Sequence, residues 1–80
     1  MQNITLYYFD GCPFCKRVSD YLAKEKITVP MKNIHEKEEY RKELLDIGGK
    51  TQVPCLIINS RAMYESMDII RWFENNYKRS

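Results

Sequence analysis

Two cysteines three positions apart, Cys12 and Cys15, stand between a segment with the composition of a strand and a segment with the periodicity of a helix. Residues 3–9 are mostly β-branched or aromatic and end at an Asp-Gly pair, which predicts a buried strand followed by a turn. From residue 13 to about residue 26, apolar side chains recur every three or four positions, the pattern of an amphipathic helix that begins with a proline. We therefore expect the cysteine pair where the first strand passes into the first helix.

The rest of the chain alternates in a similar way. Residues 29–34 predict a short second strand, and residues 36–47 predict a charged helix that a Gly-Gly pair ends. An apolar strand over residues 53–59 and a short strand over residues 62–64 are expected to form a hairpin, and Ser66 is predicted to cap a last helix that runs to about residue 77. The order βαβαββα implies a right-handed crossover between two parallel strands. We expect a mixed α/β domain, a four-stranded mixed sheet flanked by three helices.

Length and charge limit the classes of function. Eighty residues allow one small domain over residues 1–80. Thirteen Lys and Arg against eleven Asp and Glu give a net charge of +2, too balanced for the basic surface of a nucleic-acid binder. No apolar run has the length of a membrane span, and the first residues lack the basic end and apolar core of a signal peptide. We expect a monomeric cytoplasmic protein with neither nucleic acid nor membrane as a partner.

The Cys-x-x-Cys spacing indicates redox chemistry or metal binding. At the start of a helix, unpaired N–H groups and the positive end of the dipole favour the thiolate of Cys12, which is the candidate nucleophile. Cys15, one turn later, is placed to attack a mixed disulfide on Cys12, and Lys16 adds positive charge nearby. The alternative is a zinc site that also uses His35 and Cys55. These two are 20 positions apart, unlike the close pairs typical of structural zinc sites.

The chain resembles the glutaredoxins, small oxidoreductases of the thioredoxin fold that use glutathione. The resemblance covers nearly the whole chain and rests on Cys12-Pro13-Phe14-Cys15 after a strand, Thr51-Gln52-Val53-Pro54 before a strand, and the closing helix. It implies that Pro54 is in the cis form and faces the cysteine pair. It also implies that the backbone of Val53 pairs with glutathione as a short antiparallel strand, a mode in which main-chain hydrogen bonds provide the affinity.

Near its end the chain departs from the usual glutaredoxin pattern. The Glu65-Ser66 pair, together with Val53-Pro54-Cys55-Leu56, looks like the glutathione site of glutathione transferase N-terminal domains. This resemblance implies that Ser66 anchors the γ-glutamyl carboxylate through its hydroxyl and the N–H groups at a helix N-terminus. Either Glu65 or Asp68 would receive the γ-glutamyl ammonium, and Lys16 is the remaining expected glutathione contact. The alternative for Ser66 is a role as a helix cap alone.

The resemblances imply a dithiol glutaredoxin, a glutathione-dependent thiol–disulfide oxidoreductase. Its partners would be glutathione as co-substrate and glutathionylated or disulfide-containing proteins, with no tightly bound cofactor and no metal. One alternative is a carrier in which Cys12 and glutathione ligate an iron–sulfur cluster or a metal, although cluster-binding relatives commonly have a residue smaller than Pro13 after the first cysteine. Another is a glutathione transferase. We do not expect conjugating activity, because the helical second domain of that family does not follow Ser80 in this sequence.

Two further side chains have expected positions. Phe14, inside the cysteine loop, is expected to be exposed and to contact the partner. Cys55 begins an apolar strand and is expected in the core, because unpaired cysteine is among the most buried residue types.

Overall fold

The elements of the chain follow the predicted order. A computed structural model describes residues 4–76. The elements are β1 (Ile4–Tyr8), α1 (Pro13–Lys24), β2 (Met31–Asn33), α2 (Glu38–Gly48), β3 (Cys55–Ile58), β4 (Arg61–Met63) and α3 (Ser66–Asn76). The predicted first residue of β1 and last residue of α3, at positions 3 and 77, lie outside the described residues. The predicted four-stranded mixed sheet with three helices is confirmed.

The sheet has the strand order β2-β1-β3-β4, so β1 and β3 are its central strands. β1 pairs with β2 in parallel and with β3 antiparallel, and β3 and β4 form the expected hairpin. Tyr7 of β1 lies opposite Cys55 of β3. The loop that follows β1 and the segment that precedes β3 therefore meet at the same end of the two central strands.

Two apolar clusters fill the two faces of the sheet. Leu6 and Leu56 point to the face covered by α1 and α3, where they pack with Val18, Ile69 and Phe73. Each of these side chains is fully buried. Burial of one such side chain stabilises the fold by about 1.5 to 3 kcal/mol.

The opposite face of the sheet packs against α2. There Tyr7, Cys55 and Ile57 belong to the same apolar cluster as Leu44 of the helix. Cys55 has no exposed surface, which confirms the expected core position. The central strands are therefore buried on both faces, as expected for a sheet with helices on either side.

Element ends differ from the predictions where local hydrogen bonds compete with the helix or strand. α1 ends two residues early, and Lys26 has a left-handed φ of 57°. α2 starts at residue 38 instead of 36, because the His35 N–H donates to Asn33 Oδ1 at 2.9 Å and holds residues 34–36 in a turn. The strand predicted over residues 29–34 is shortened to 31–33. The strand predicted over residues 53–59 covers only 55–58, after a proline that cannot donate to a ladder.

The last turn of α2 presents Gly48 to the protein and leaves the apolar Ile47 in solvent. Ile47 is 41% exposed. Gly48, four positions after the buried Leu44, instead turns toward the protein and accepts a hydrogen bond from Tyr64.

Within residues 4–76, no helix has the length and apolar character needed to cross a bilayer.

Candidate functional site

The loop between β1 and α1 presents the first cysteine at the start of a helix. Gly11 turns the chain with a φ of +89°, a conformation that favours glycine. Cys12 then takes the N-cap position with an extended backbone, and Pro13 is the first helical residue. The Cys15 N–H donates to Cys12 Sγ at 3.4 Å. The sulfur thus takes the place of the oxygen in a usual N-cap, and negative charge on it is favoured by the helix terminus.

The second cysteine is deeper in the protein than the first. Cys15 is 3% exposed, against 8% for Cys12. Burial, followed by the hydrogen bond with Cys12, raises the pKa of the Cys15 thiol to about 12. At neutral pH Cys15 is therefore a protonated thiol one turn behind the nucleophile candidate. The pair can carry out a first attack by Cys12 and a second, slower attack by Cys15.

A small groove lies beside the cysteine loop, and we call it the Pro54 groove. Its volume is about 100 Å³. The lining residues are Phe14, Gln52, Val53, Pro54, Tyr64, Glu65 and Ser66. The Val53-Pro54 peptide bond is cis, as the resemblance implied. Within residues 4–76, the N–H and C=O groups of Val53 make no hydrogen bond, so this wall offers a free donor and a free acceptor.

The second wall of the Pro54 groove is the start of α3. The Ile69 N–H donates to the Glu65 C=O at 2.9 Å, so Glu65 holds the cap position and Ser66 is the first helical residue. The prediction that Ser66 caps the helix is therefore wrong, because the helix begins one residue earlier than a Ser66 cap requires. Ser66 is 7% exposed, and its hydroxyl has no hydrogen-bond partner among the described residues. The hydroxyl is available to a ligand in the groove.

Two of the residues predicted to bind glutathione, Lys16 and Asp68, do not line the Pro54 groove. Lys16 Nζ pairs with Asp20 Oδ2 at 2.9 Å, and both side chains are mostly exposed. Asp68 is exposed in the first turn of α3 and does not line the Pro54 groove. The structure thus brings together Val53, Pro54 and the Glu65-Ser66 pair.

A second cavity, which we call the loop cavity, adjoins both cysteines and has a volume of about 200 Å³. Its lining residues are Tyr8, Phe9, Asp10, Gly11, Cys12, Cys15, Lys16 and Ser19, none of which lines the Pro54 groove. Phe14, 55% exposed as expected, is the loop side chain that reaches the Pro54 groove. Sequence reasoning assigned no role to Gln52 and Tyr64, although both adjoin the motifs that carry the resemblance.

The remaining candidates for metal ligands are dispersed. His35 is exposed and stacks on Phe9 with 4.4 Å between the ring centroids. Cys55 is fully buried, and burial raises the pKa of its thiol to about 11. In the described part of the chain, no three His, Cys, Asp or Glu side chains are grouped so that they could hold a metal ion. The zinc alternative therefore lacks its ligand set there.

Comparisons with known proteins give a family and a fold. Residues 6–80 match the family described as glutathione S-transferase, N-terminal domain. The chain is similar to glutathione transferase Omega 3C from Trametes versicolor, with 30% identity over 96% of this chain and a TM-score of 0.76. It is also similar to a glutathione S-transferase from the Antarctic clam Laternula elliptica, with 28% identity over 94% of this chain and a TM-score of 0.75. It spans 34% and 35% of the lengths of those two proteins.

A glutaredoxin has a similar structure. The glutaredoxin grx-1 from Archaeoglobus fulgidus has a TM-score of 0.70 and 18% identity, over 89% of this chain and 85% of that one. The predicted thioredoxin fold is thereby confirmed. No curated protein matches the sequence.

Proposed function

The chain belongs to the glutathione S-transferase N-terminal domain family, and we propose that it is a dithiol glutaredoxin that binds glutathione in the Pro54 groove and exchanges thiols and disulfides at Cys12. The observation that carries the proposal is the Cys12 sulfur in the N-cap position of α1 with the thiol of Cys15 one turn behind it. A thioredoxin fold alone is compatible with many activities, whereas this arrangement supplies a nucleophile and a resolving thiol.

Glutathione binding uses the groups left unpaired around the Pro54 groove. The backbone of Val53 pairs with the cysteinyl segment of glutathione as a short antiparallel strand. The Ser66 hydroxyl and the N–H groups at the start of α3 bind the γ-glutamyl carboxylate. Glu65, which lines the groove, is better placed than Asp68 to accept the γ-glutamyl ammonium. Lys16, outside the groove, contributes long-range positive charge.

Reduction of a glutathionylated protein needs only the first cysteine. The Cys12 thiolate attacks the glutathione sulfur, forms a Cys12–glutathione disulfide and releases the protein thiolate, which takes up a proton. The thiolate of a second glutathione then attacks the same glutathione sulfur. This step yields glutathione disulfide and restores the Cys12 thiolate, so that one glutathione thiol is oxidised for each protein thiol freed.

Reduction of a protein disulfide uses both cysteines. Cys12 forms a mixed disulfide with one substrate sulfur, and the other substrate sulfur leaves as a thiolate. Cys15 then attacks the Cys12 sulfur, passes its proton to the departing thiolate and closes the Cys12–Cys15 disulfide, which two glutathione molecules reduce. Because the pKa of Cys15 is raised to about 12, we expect this attack to be the slower step.

The test is a pair of cysteine variants assayed on two substrates. Cys12→Ser is expected to abolish both activities. Cys15→Ser is expected to retain reduction of a small glutathione mixed disulfide and to lose most reduction of a protein disulfide. Cys55→Ala, which removes the buried third thiol, is the matched control and should retain both activities. Equal loss in the two serine variants on the glutathione mixed disulfide would contradict the assigned roles.

Glutathione conjugation is the second candidate, because the matching family and two of the similar structures are glutathione transferases. The test is the conjugation of glutathione to 1-chloro-2,4-dinitrobenzene, followed by absorbance. Conjugation that persists in Cys12→Ser would favour the transferase. Conjugation absent in the wild type, together with disulfide reduction, would favour the glutaredoxin.

We further propose that the protein acts as a monomer in the cytoplasm. Cys15 and Cys55 are free buried thiols, a state that the reducing conditions of that compartment maintain. Size-exclusion chromatography at several concentrations and fractionation of cells that express the tagged protein test the two statements.

A further inference from the structure

The last turn of α2 contacts a wall of the Pro54 groove through a glycine. Tyr64 Oη donates a hydrogen bond to the Gly48 C=O at 2.8 Å. A Cβ added to Gly48 would overlap Tyr64 Oη and would lie 3.2 Å from the ring carbon Cζ. Since Gly48 is helical, the close approach of the tyrosine is what requires a glycine here. The contact also satisfies one of the last carbonyl groups of α2, which have no partner within the helix.

A second contact holds the same tyrosine ring. Lys50 Nζ lies 4.3 Å from the centroid of the Tyr64 ring, within the range of a cation–π interaction. Gly48 and Lys50 belong to the segment that leads from α2 to Val53. Tyr64 directly precedes the Glu65-Ser66 pair and lines the groove itself. One side chain therefore joins the two segments that form the walls of the Pro54 groove.

We propose that Tyr64 is a positioning residue for glutathione and that its hydrogen bond to Gly48 fixes the spacing between the Val53 backbone and the start of α3. The inference rests on the proposed glutathione site. Glutathione must contact both walls at once, through its cysteinyl segment on Val53 and its γ-glutamyl carboxylate on Ser66. In a groove of about 100 Å³, a small separation of the walls breaks one of these contacts. The inference gives Gly48, which touches no ligand, a role in affinity.

The first test removes only the hydroxyl of Tyr64. Tyr64→Phe keeps the ring and its contact with Lys50, and we expect the dissociation constant for glutathione to rise roughly threefold to tenfold, the loss of one neutral hydrogen bond. Isothermal titration calorimetry with reduced glutathione measures it in the Cys12→Ser background, where no disulfide forms. Tyr21→Phe is the matched control, because the buried Tyr21 hydroxyl has no hydrogen-bond partner among the described residues. Its affinity should equal that of Cys12→Ser alone.

The second test exploits the overlap at Gly48. Gly48→Ala is expected to weaken glutathione binding more than Tyr64→Phe does, because the added Cβ displaces the tyrosine. In the double variant Gly48→Ala/Tyr64→Phe the overlapping oxygen is gone, and we expect part of the affinity to return. A merely structural contact would lower the melting temperature without this recovery of affinity. The rate of Cys12 alkylation by iodoacetamide, measured with Cys12 present, should be the same in all four proteins of the cycle.

The outcomes separate the inference from the proposed function. Affinities for glutathione that are equal in Cys12→Ser, Tyr64→Phe and the double variant would overturn the positioning role and leave the glutathione site intact. Failure of Cys12→Ser itself to bind glutathione would overturn the proposed site and the positioning role together. Should Gly48→Ala not fold, the Tyr64→Phe measurement decides the question on its own.

Discussion

Replacing Ser66 by alanine tests the glutathione site with little interference from folding. The Ser66 hydroxyl makes no hydrogen bond within residues 4–76, and Glu65 holds the cap position of α3. Its removal therefore breaks no contact that the described structure uses. We expect the free energy of unfolding to change by no more than about 0.5 kcal/mol, the size of effect found away from caps and core contacts.

The effect on glutathione is expected to be much larger. A hydrogen bond to the ionised γ-glutamyl carboxylate contributes about 1.5 to 3 kcal/mol, which corresponds to roughly a tenfold to hundredfold change in affinity. Ser66 is 7% exposed, so water does not readily replace the lost hydroxyl. Because the carboxylate is held equally in the ground state and the transition state, the loss should appear in the Michaelis constant and not in the turnover number.

The assay is the reduction of a small glutathione mixed disulfide at varied glutathione concentration, with thermal unfolding measured on the same samples. Ser19→Ala is the matched control. Ser19 Oγ donates to the Lys16 C=O at 3.1 Å within α1 and does not line the Pro54 groove. An unchanged Michaelis constant in Ser66→Ala, with the melting temperature also unchanged, would refute the carboxylate anchor.

Two further predictions follow from the shifted pKa values. Burial raises the pKa of Cys15 to about 12 and that of Cys55 to about 11. We therefore expect iodoacetamide at about pH 8 to label Cys12 alone in the folded protein and all three thiols after unfolding. Mass spectrometry measures the labelling, and fast labelling of a second thiol in the folded protein would contradict the prediction. Lys32 donates a hydrogen bond to Glu43, and this bond lowers the pKa of the Glu43 carboxyl. The ionised carboxylate therefore stabilises the folded protein above the ordinary glutamate pKa of about 4.3, and this stabilisation is lost as the pH falls through the lowered pKa. Glu43→Gln should therefore lose less stability than the wild type on acidification from about pH 6 to pH 3, as measured by urea unfolding; equal losses would show that this pair does not contribute.

Local patterns were sufficient to predict the elements and the position of the cysteine pair between β1 and α1. The 3.6-residue periodicity after Pro13 reflects a helix that buries one face. The β-branched run before Asp10 reflects a strand that is buried on both faces. Both patterns are visible in the sequence because buried positions require apolar side chains. Their order fixes the crossover and places Cys12 at the junction. The pairing of Tyr7 with Cys55 then brings the segment of Pro54 to the same end of the central strands.

The misplaced details depend on side-chain contacts that a local pattern does not contain. Tyr64, 16 positions away in sequence, donates a hydrogen bond to Gly48 and packs against the last turn of α2 at that residue. Ile47, the residue before Gly48, therefore faces solvent despite its apolar character. The late start of α2 comes from a side-chain hydrogen bond of Asn33 that competes with the helix. Lys16 is next to Cys15 in sequence, yet successive helical residues point about 100° apart, and this one faces Asp20 and not the Pro54 groove.

In the proposed function Cys12 and Cys15 cycle between dithiol and disulfide, and the position of the Cys12 sulfur at the start of α1 would then link the reduction potential to the folding equilibrium. A thiolate accepts a charge-assisted hydrogen bond from the Cys15 N–H, which is stronger than the bond that an uncharged disulfide sulfur can accept. The helix is therefore better capped in the reduced protein, and a cap contributes about 1 kcal/mol. By thermodynamic linkage, folding favours the dithiol over the disulfide by the same amount, or about 20 mV for a two-electron couple. Under the proposed function, we therefore expect substitutions in the first turn of this helix to change two properties at once: how firmly the domain folds, and how strongly it oxidises a partner thiol.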